Sequence, residues 1–190
     1  MTDPLGPLWV ILVATGLRLG EALGLRWSDI RDGELVVGRS LRPIDRRVRE
    51  LGAPRLQAVE PKTDESTRQM TLPGVAVDAL ERHRLVASSR PSSVAGYVFT
   101  TPRGTPLDPR NVSRAWSTFR DTASLPRIRI HDLRHSAASL LLAQGFTLED
   151  VKRVLGHASI VQTSNTYGHL VRERQLQVAK GMDAALTGSG

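Results

Sequence analysis

Residues 130–170 read IHDLRHSAASLLLAQGFTLEDVKRVLGHASIVQTSNTYGHL and hold four of the chain's five histidines and one of its two tyrosines. Leu133, Ala137, Leu140 and Leu141 recur at i, i+4, i+7 and i+8, which predicts an amphipathic helix with those four turned inward. At about 100° per residue, His131, Arg134 and His135 fall on the opposite side of that helix. Gly145 stops it, and Thr147 with Asp150 three places on predicts an N-cap with a weak form of the capping box. The short helix that follows carries Leu148, Val151, Val154 and Leu155 inward. Gly156 stands where a left-handed C-terminal cap belongs and leaves His157 at the bend. A polar third segment, residues 159–167, ends in Tyr167.

One helix thus offers a guanidinium and two imidazoles, a turn offers a further imidazole, and the next segment offers a phenol. The set suits phosphodiester chemistry. An arginine fork matches two phosphate oxygens, a histidine moves protons near neutral pH, and a tyrosine can become a covalent nucleophile.

His131-Asp132-Leu133-Arg134-His135, then Leu155-Gly156-His157, then Tyr167-Gly168-His169-Leu170 resembles, in order and spacing, the C-terminal signature of the tyrosine recombinases, the phage-integrase family. Upstream, TGLRLGEALGLRWSDI at residues 15–30 resembles the family's first arginine motif. There the arginine, here Arg18, contacts the scissile phosphate, and a glutamate three places on, here Glu21, supports the fold around it. Taken alone, Arg18 and Glu21 at i, i+3 are a surface salt bridge worth a few tenths of a kcal/mol. Pro61-Lys62-Thr63, ahead of a strand ending in Leu72-Pro73, is similar to the hairpin that carries the family's lysine. A lysine in a turn is otherwise simply solvated.

The resemblance spans residues 8–186. It implies an α+β fold: a mostly helical catalytic domain with a small three-stranded antiparallel sheet, the DNA breaking-rejoining fold. It covers only the catalytic half of a usual recombinase, so residues 1–186 are expected to be that domain without its N-terminal core-binding partner, either as a fragment or as an unusually short member. Residues 187–190 are expected to be a flexible tail.

Composition agrees with this reading. A chain of 190 residues is one domain of ordinary size, large enough for a sizeable core. Its net charge of +7 favours a polyanionic partner, nucleic acid first, although charge alone is a weak argument. With no cysteine, disulfides and thiolate metal sites are excluded. No apolar run suits a membrane span, and no secretory signal is visible. A cytoplasmic protein working on DNA fits these bounds.

Along the chain, residues 8–15 are apolar on every side and read as a buried helix, and a second helix runs from 18 to about 25. Strands are predicted at 34–41, at about 55–60 and at 68–72, forming the three-stranded sheet. The arginine-rich residues 42–49 are either a loop touching the phosphate backbone or a solvated one. Residues 75–87 read as a helix with Val77, Leu80 and Leu85 inward and His83 outward. Asp108 before Pro109 predicts the start of a helix reaching about residue 123. Its Arg110, Arg114 and Arg120 face either DNA or solvent. A last helix, 171–186, packs on its own domain or, as the resemblance implies, on a neighbouring protomer.

For the site, the resemblance implies that Arg18 and Arg134 neutralise the phosphate, Tyr167 attacks it and His131 accepts the phenol proton. Lys62 protonates the leaving 5′ oxygen and His157 hydrogen-bonds the phosphate. It implies no cofactor and no metal, since the phosphotyrosine stores the bond energy. It implies double-stranded DNA as partner, a tetramer of protomers on that DNA, and accessory DNA-bending or directionality proteins. Three rivals stand beside this reading. HDLRH could be a relative of the zinc motif H-E-x-x-H, but Asp132 replaces the needed glutamate and Arg134 sets a cation between the ligands. A relaxing topoisomerase uses similar chemistry, though the spacing from LGH to Tyr167 favours the recombinases. The third is a DNA-binding module without catalysis.

Overall fold

The computed structural model describes residues 3–45, 47, 50, 55–60, 67–89, 96–156 and 182. Its contacts divide the chain into two units, Met1–Ala137 and Ala138–Gly190.

The first unit is built around α1 (Gly6–Thr15), with Leu8, Ile11 and Leu12 buried. Such a helix has no polar face to give to solvent, so it must be covered. Packed against it is α3 (Gly74–Ala87), whose Ala76 and Leu80 share its core. Trp9 meets Trp116 of α4 (Pro109–Thr122) edge-on, with ring centroids 5.3 Å apart. Asp108 caps α4 by accepting the Arg110 amide proton at 2.9 Å, as Asp before Pro predicts.

Between α1 and the strands lies α2 (Leu19–Gly24), which rests on β3 (Ser40–Pro43). Gly20 makes that approach possible: a Cβ there would stand 2.5 Å from Ser40 Oγ and 2.9 Å from the Leu41 carbonyl oxygen.

The sheet expected from sequence needs correction. The three-stranded antiparallel sheet is formed by β1 (Ile30–Arg31), β2 (Glu34–Val37) and β5 (Arg68–Thr71), in the order β1-β2-β5. In it Leu35 faces Met70 and Val37 faces Arg68. A separate two-stranded sheet joins β3 to β4 (Leu56–Val59). The run read as one strand, 34–41, breaks at Gly38 and Arg39, where the Arg39 guanidinium pairs with Asp29. Beyond that break the chain joins a different sheet. Isolated bridges join Arg26 to Tyr97 and Thr100 to Pro106.

Two features of α3 also differ from expectation. Leu85 is 76% exposed, whereas His83 is buried, with its Nε2 2.9 Å from the Val98 carbonyl oxygen. Its ring lies between those of Trp27 and Phe99, at 6.1 and 5.0 Å. Amphipathic packing and one backbone partner satisfy this histidine, which hydropathy alone places outside.

α5 (Asp132–Ala143) continues from the first unit into the second. In the second unit Ala138 and Leu142 form a small cluster with Val151 and Leu155 of α6 (Leu148–Leu155). Thr147 and Asp150 make the full capping box, and Gly156 ends α6 in the left-handed conformation at φ 65°. The inward stripe of α5 is Leu133, Ala137, Ala138 and Leu142, while Leu140 is 56% exposed. Residues 171–186 fall outside the described residues apart from Met182, which is exposed.

Candidate active site

Gly16 terminates α1 at φ 64°, its amide returning to the Leu12 carbonyl at 3.1 Å. Gly is suited to that left-handed turn, which reverses the chain and delivers Arg18 as the N-cap of α2. The Gly16 carbonyl meets a partner from far along the chain: Arg134 Nη1 donates to it at 2.5 Å. Arg134 is buried, 3% exposed, so it is not on an outward face with His131 and His135 as the periodicity suggests. A buried cation needs charge-assisted or carbonyl partners, and the Gly16 carbonyl is one of them.

Arg18 is held differently. Its Nη1 donates to Glu21 Oε1 at 2.9 Å, and its amide donates to Glu21 Oε2 at 2.9 Å. Glu21 is buried and has a second cation: Arg68 Nη2 donates to Oε2 at 2.9 Å and Nη1 to Oε1 at 3.4 Å. Burial pushes the Glu21 carboxyl up. The hydrogen bonds and charge of Arg68, with those from Arg18, outweigh this and hold it below the usual carboxylate range. Glu21 therefore stays ionised at neutral pH. Arg18 and Glu21, which taken alone read as a surface salt bridge, form one edge of an Arg-Glu-Arg cluster whose Glu21 and Arg68 side chains are largely buried and whose Arg18 is exposed.

His131 is only partly desolvated where it leads into α5, its ring at right angles to that of His135, centroids 5.4 Å apart. Desolvation, then the neighbouring His135 and Arg134, push its pKa below the ordinary histidine value, against an opposing pull from Asp132. A neutral imidazole at pH 7 is a proton acceptor. Asp132 itself is occupied by Arg129, which donates to it from Nη2 at 2.9 Å and from its amide at 2.7 Å, and which holds that carboxyl low. Three residues before His131, the Ile128 carbonyl accepts from Trp116 Nε1 at 3.1 Å and from Arg120 Nη1 at 3.3 Å.

Of the six residues selected from sequence, Arg18, His131 and Arg134 are described, and the structure brings Arg134 to the turn that presents Arg18. Lys62, His157 and Tyr167 lie outside the described residues, as does His169. Arg68 escapes sequence reading. A polar residue at the head of a strand carries no local mark of a partner 47 residues away.

Among the described residues, no three His, Cys, Asp or Glu side chains gather as a metal ion requires, and no helix is long and apolar enough to cross a membrane.

Residues 8–174 match the Phage integrase family, and the chain belongs to that family, the tyrosine recombinases. It is similar to the Tyrosine recombinase XerC-like protein of Caldanaerobacter subterraneus subsp. tengcongensis, 31% identical over 93% of this chain and 48% of the relative. It is also similar to the ICEBs1 integrase of Bacillus subtilis, 30% identical over 94% of this chain and 48% of the relative. The chain spans about half the length of these curated relatives. In fold it is similar to the Tn1549 transposon integrase bound to circular intermediate DNA, with a TM-score of 0.75 at 20% identity over 92% of this chain and 59% of that one. The XerA recombinase gives a TM-score of 0.71 at 20% identity over 92% and 57%.

Proposed function

We propose that this chain is the catalytic domain of a site-specific DNA recombinase, residues 1–186, acting on double-stranded DNA in the bacterial cytoplasm. The observation that carries the reading is the Arg134–Gly16 contact, which ties the helix of the HDLRH motif to the turn that presents Arg18. Two cations from opposite ends of the chain thereby belong to one locality. A phosphodiester anion repels nucleophiles, and paired guanidiniums offset that charge and stabilise the further charge of a pentavalent transition state.

Tyr167 attacks the phosphorus and the bond from phosphorus to the 5′ oxygen breaks, leaving a 3′-phosphotyrosine and a 5′ hydroxyl. The phenol, with a free pKa of about 10, must lose its proton as it attacks. His131, held neutral, takes it. Lys62 supplies the proton to the 5′ oxygen, and His157 hydrogen-bonds the phosphate. Attack of a partner strand's 5′ hydroxyl on the phosphotyrosine reverses these steps and joins the new strands, in a tetramer of protomers on two duplexes. The bond energy is conserved in the ester, so the reaction draws on no nucleotide. The relatives' names and the DNA in the Tn1549 integrase structure support this reading.

The test is to incubate the protein with supercoiled DNA in EDTA, quench with detergent and look for protein joined to a 3′ DNA end. The expected result is an adduct that is absent in Tyr167→Phe. DNA binding without an adduct would leave a binding module and overturn the catalytic reading.

A further inference from the structure

We propose that Arg68 is a positioning residue for Arg18, one that takes up the charge of Glu21 so that Arg18 keeps its own for the phosphate; this rests on the function proposed above. The argument is one of charge and capacity. A carboxylate has about four acceptor positions, and Glu21 receives four donors: the amide and Nη1 of Arg18, and Nη1 and Nη2 of Arg68. The three side chains together carry one net positive charge. How that charge is shared follows from exposure. The Arg68 side chain is 9% exposed and that of Glu21 11%, while that of Arg18 is 45% exposed.

The buried pair, drawn together where water screens little, neutralises itself. The exposed member of the cluster is the one that faces an arriving anion. With Glu21 and Arg18 alone, the carboxylate would close on Arg18, the two would form a neutral unit, and a phosphate would have to compete with Glu21 for the same guanidinium. Arg68 removes that competition without contact with the substrate, while Glu21 still fixes Arg18 from its amide and its Nη1. The same division explains why Glu21 tolerates burial: two cations share one carboxylate, and neither carboxylate oxygen lacks a donor.

The test compares R68Q, which keeps polar donors but no charge, with R68K, which keeps the charge but not the fork. Three quantities are measured on the full chain: the rate of 3′ adduct formation with supercoiled plasmid, the Kd for the same DNA, and the melting temperature. Loss of a group acting through a primary one costs about 10- to 100-fold, so R68Q is expected to slow adduct formation by about tenfold or more. Its Kd should stay within about twofold, because Arg18 is one of 26 lysines and arginines available to DNA phosphates. R68K is expected to recover most of the rate. Three results overturn the proposal: R68Q cleaving at the wild-type rate, rate and DNA affinity falling together with the melting temperature, or a folded R68K as slow as R68Q. Should R68Q fail to fold, R68K decides alone, and a rate reduced about tenfold or more overturns the proposal. If the wild-type chain itself forms no adduct, the catalytic reading fails and this proposal with it.

Discussion

Arg134 donates from Nη1 to the carbonyl of Gly16 at 2.5 Å, joining residues 118 apart in sequence and closing the loop that carries Arg18. The proposed function gives this structural contact a part in the chemistry as well. Arg134→Ala is expected to leave the Gly16 carbonyl short of a donor, at a cost of about 1–3 kcal/mol in urea unfolding. It should lower the rate of 3′ adduct formation by about 100-fold or more, the usual loss for a donor to a developing oxyanion. A variant that melts early yet cleaves at the wild-type rate would confine Arg134 to the fold.

The pH dependence follows from His131. Burial first, then His135 and Arg134, hold its pKa below the unperturbed value of about 6.5. The sign is that of a depressed group: its neutral form is favoured in the folded protein, so the stability it contributes is present above the unfolded value and lost as pH falls through the folded one. The acid limb of adduct formation should therefore have its midpoint below about 6.5. His135→Asn removes one of the lesser causes and leaves burial in place, so the midpoint should rise part of the way. A pH–rate profile for both proteins checks this, and an unmoved midpoint would show that His135 does not act on His131.

Gly20→Ala should destabilise the domain by about 1–3 kcal/mol, the usual cost of overpacking. The new methyl would stand 2.5 Å from Ser40 Oγ and 2.9 Å from the Leu41 carbonyl, and the second is backbone that cannot turn aside. Thermal melting is the measurement, with Gly6→Ala as the comparison, since nothing lies within 4 Å of a Cβ there.

Trp116→Phe keeps an aromatic ring against Trp9 but removes the Nε1 donor to the Ile128 carbonyl. Arg120 still donates there at 3.3 Å, so the expected cost is about 1 kcal/mol or less. A larger loss of adduct formation than of stability would show that the Trp116 bond sets the position of His131.

Much of the fold was legible because its helix ends sit in local signals. Asp108 before Pro109, Thr147 with Asp150, and Gly156 each fix a helix end through contacts a few residues long, and each lies where expected. The phase of α5 was not legible, since three consecutive leucines at 140–142 satisfy more than one rotation of the helix. Packing on Val151 and Leu155 selects Leu142 and leaves Leu140 exposed. Arg134, His83 and Arg68 share a second reason: each is a polar side chain buried by a partner distant in sequence. Hydropathy sends such residues outward, because it registers the cost of burial but not the carbonyl or carboxylate that offsets it. Strand pairing failed similarly, as β2 passes over its neighbours β3 and β4 to join β5.

The Gly16–Arg134 contact also has a meaning in time. A ribosome releases the chain from its N-terminus, and domains form as their parts emerge. Arg18 and Glu21 leave early, whereas the donor that closes their turn is made more than a hundred residues later. A chain interrupted between α3 and α5 holds the elements that pack as α1 against α3, yet lacks the donor to the Gly16 carbonyl.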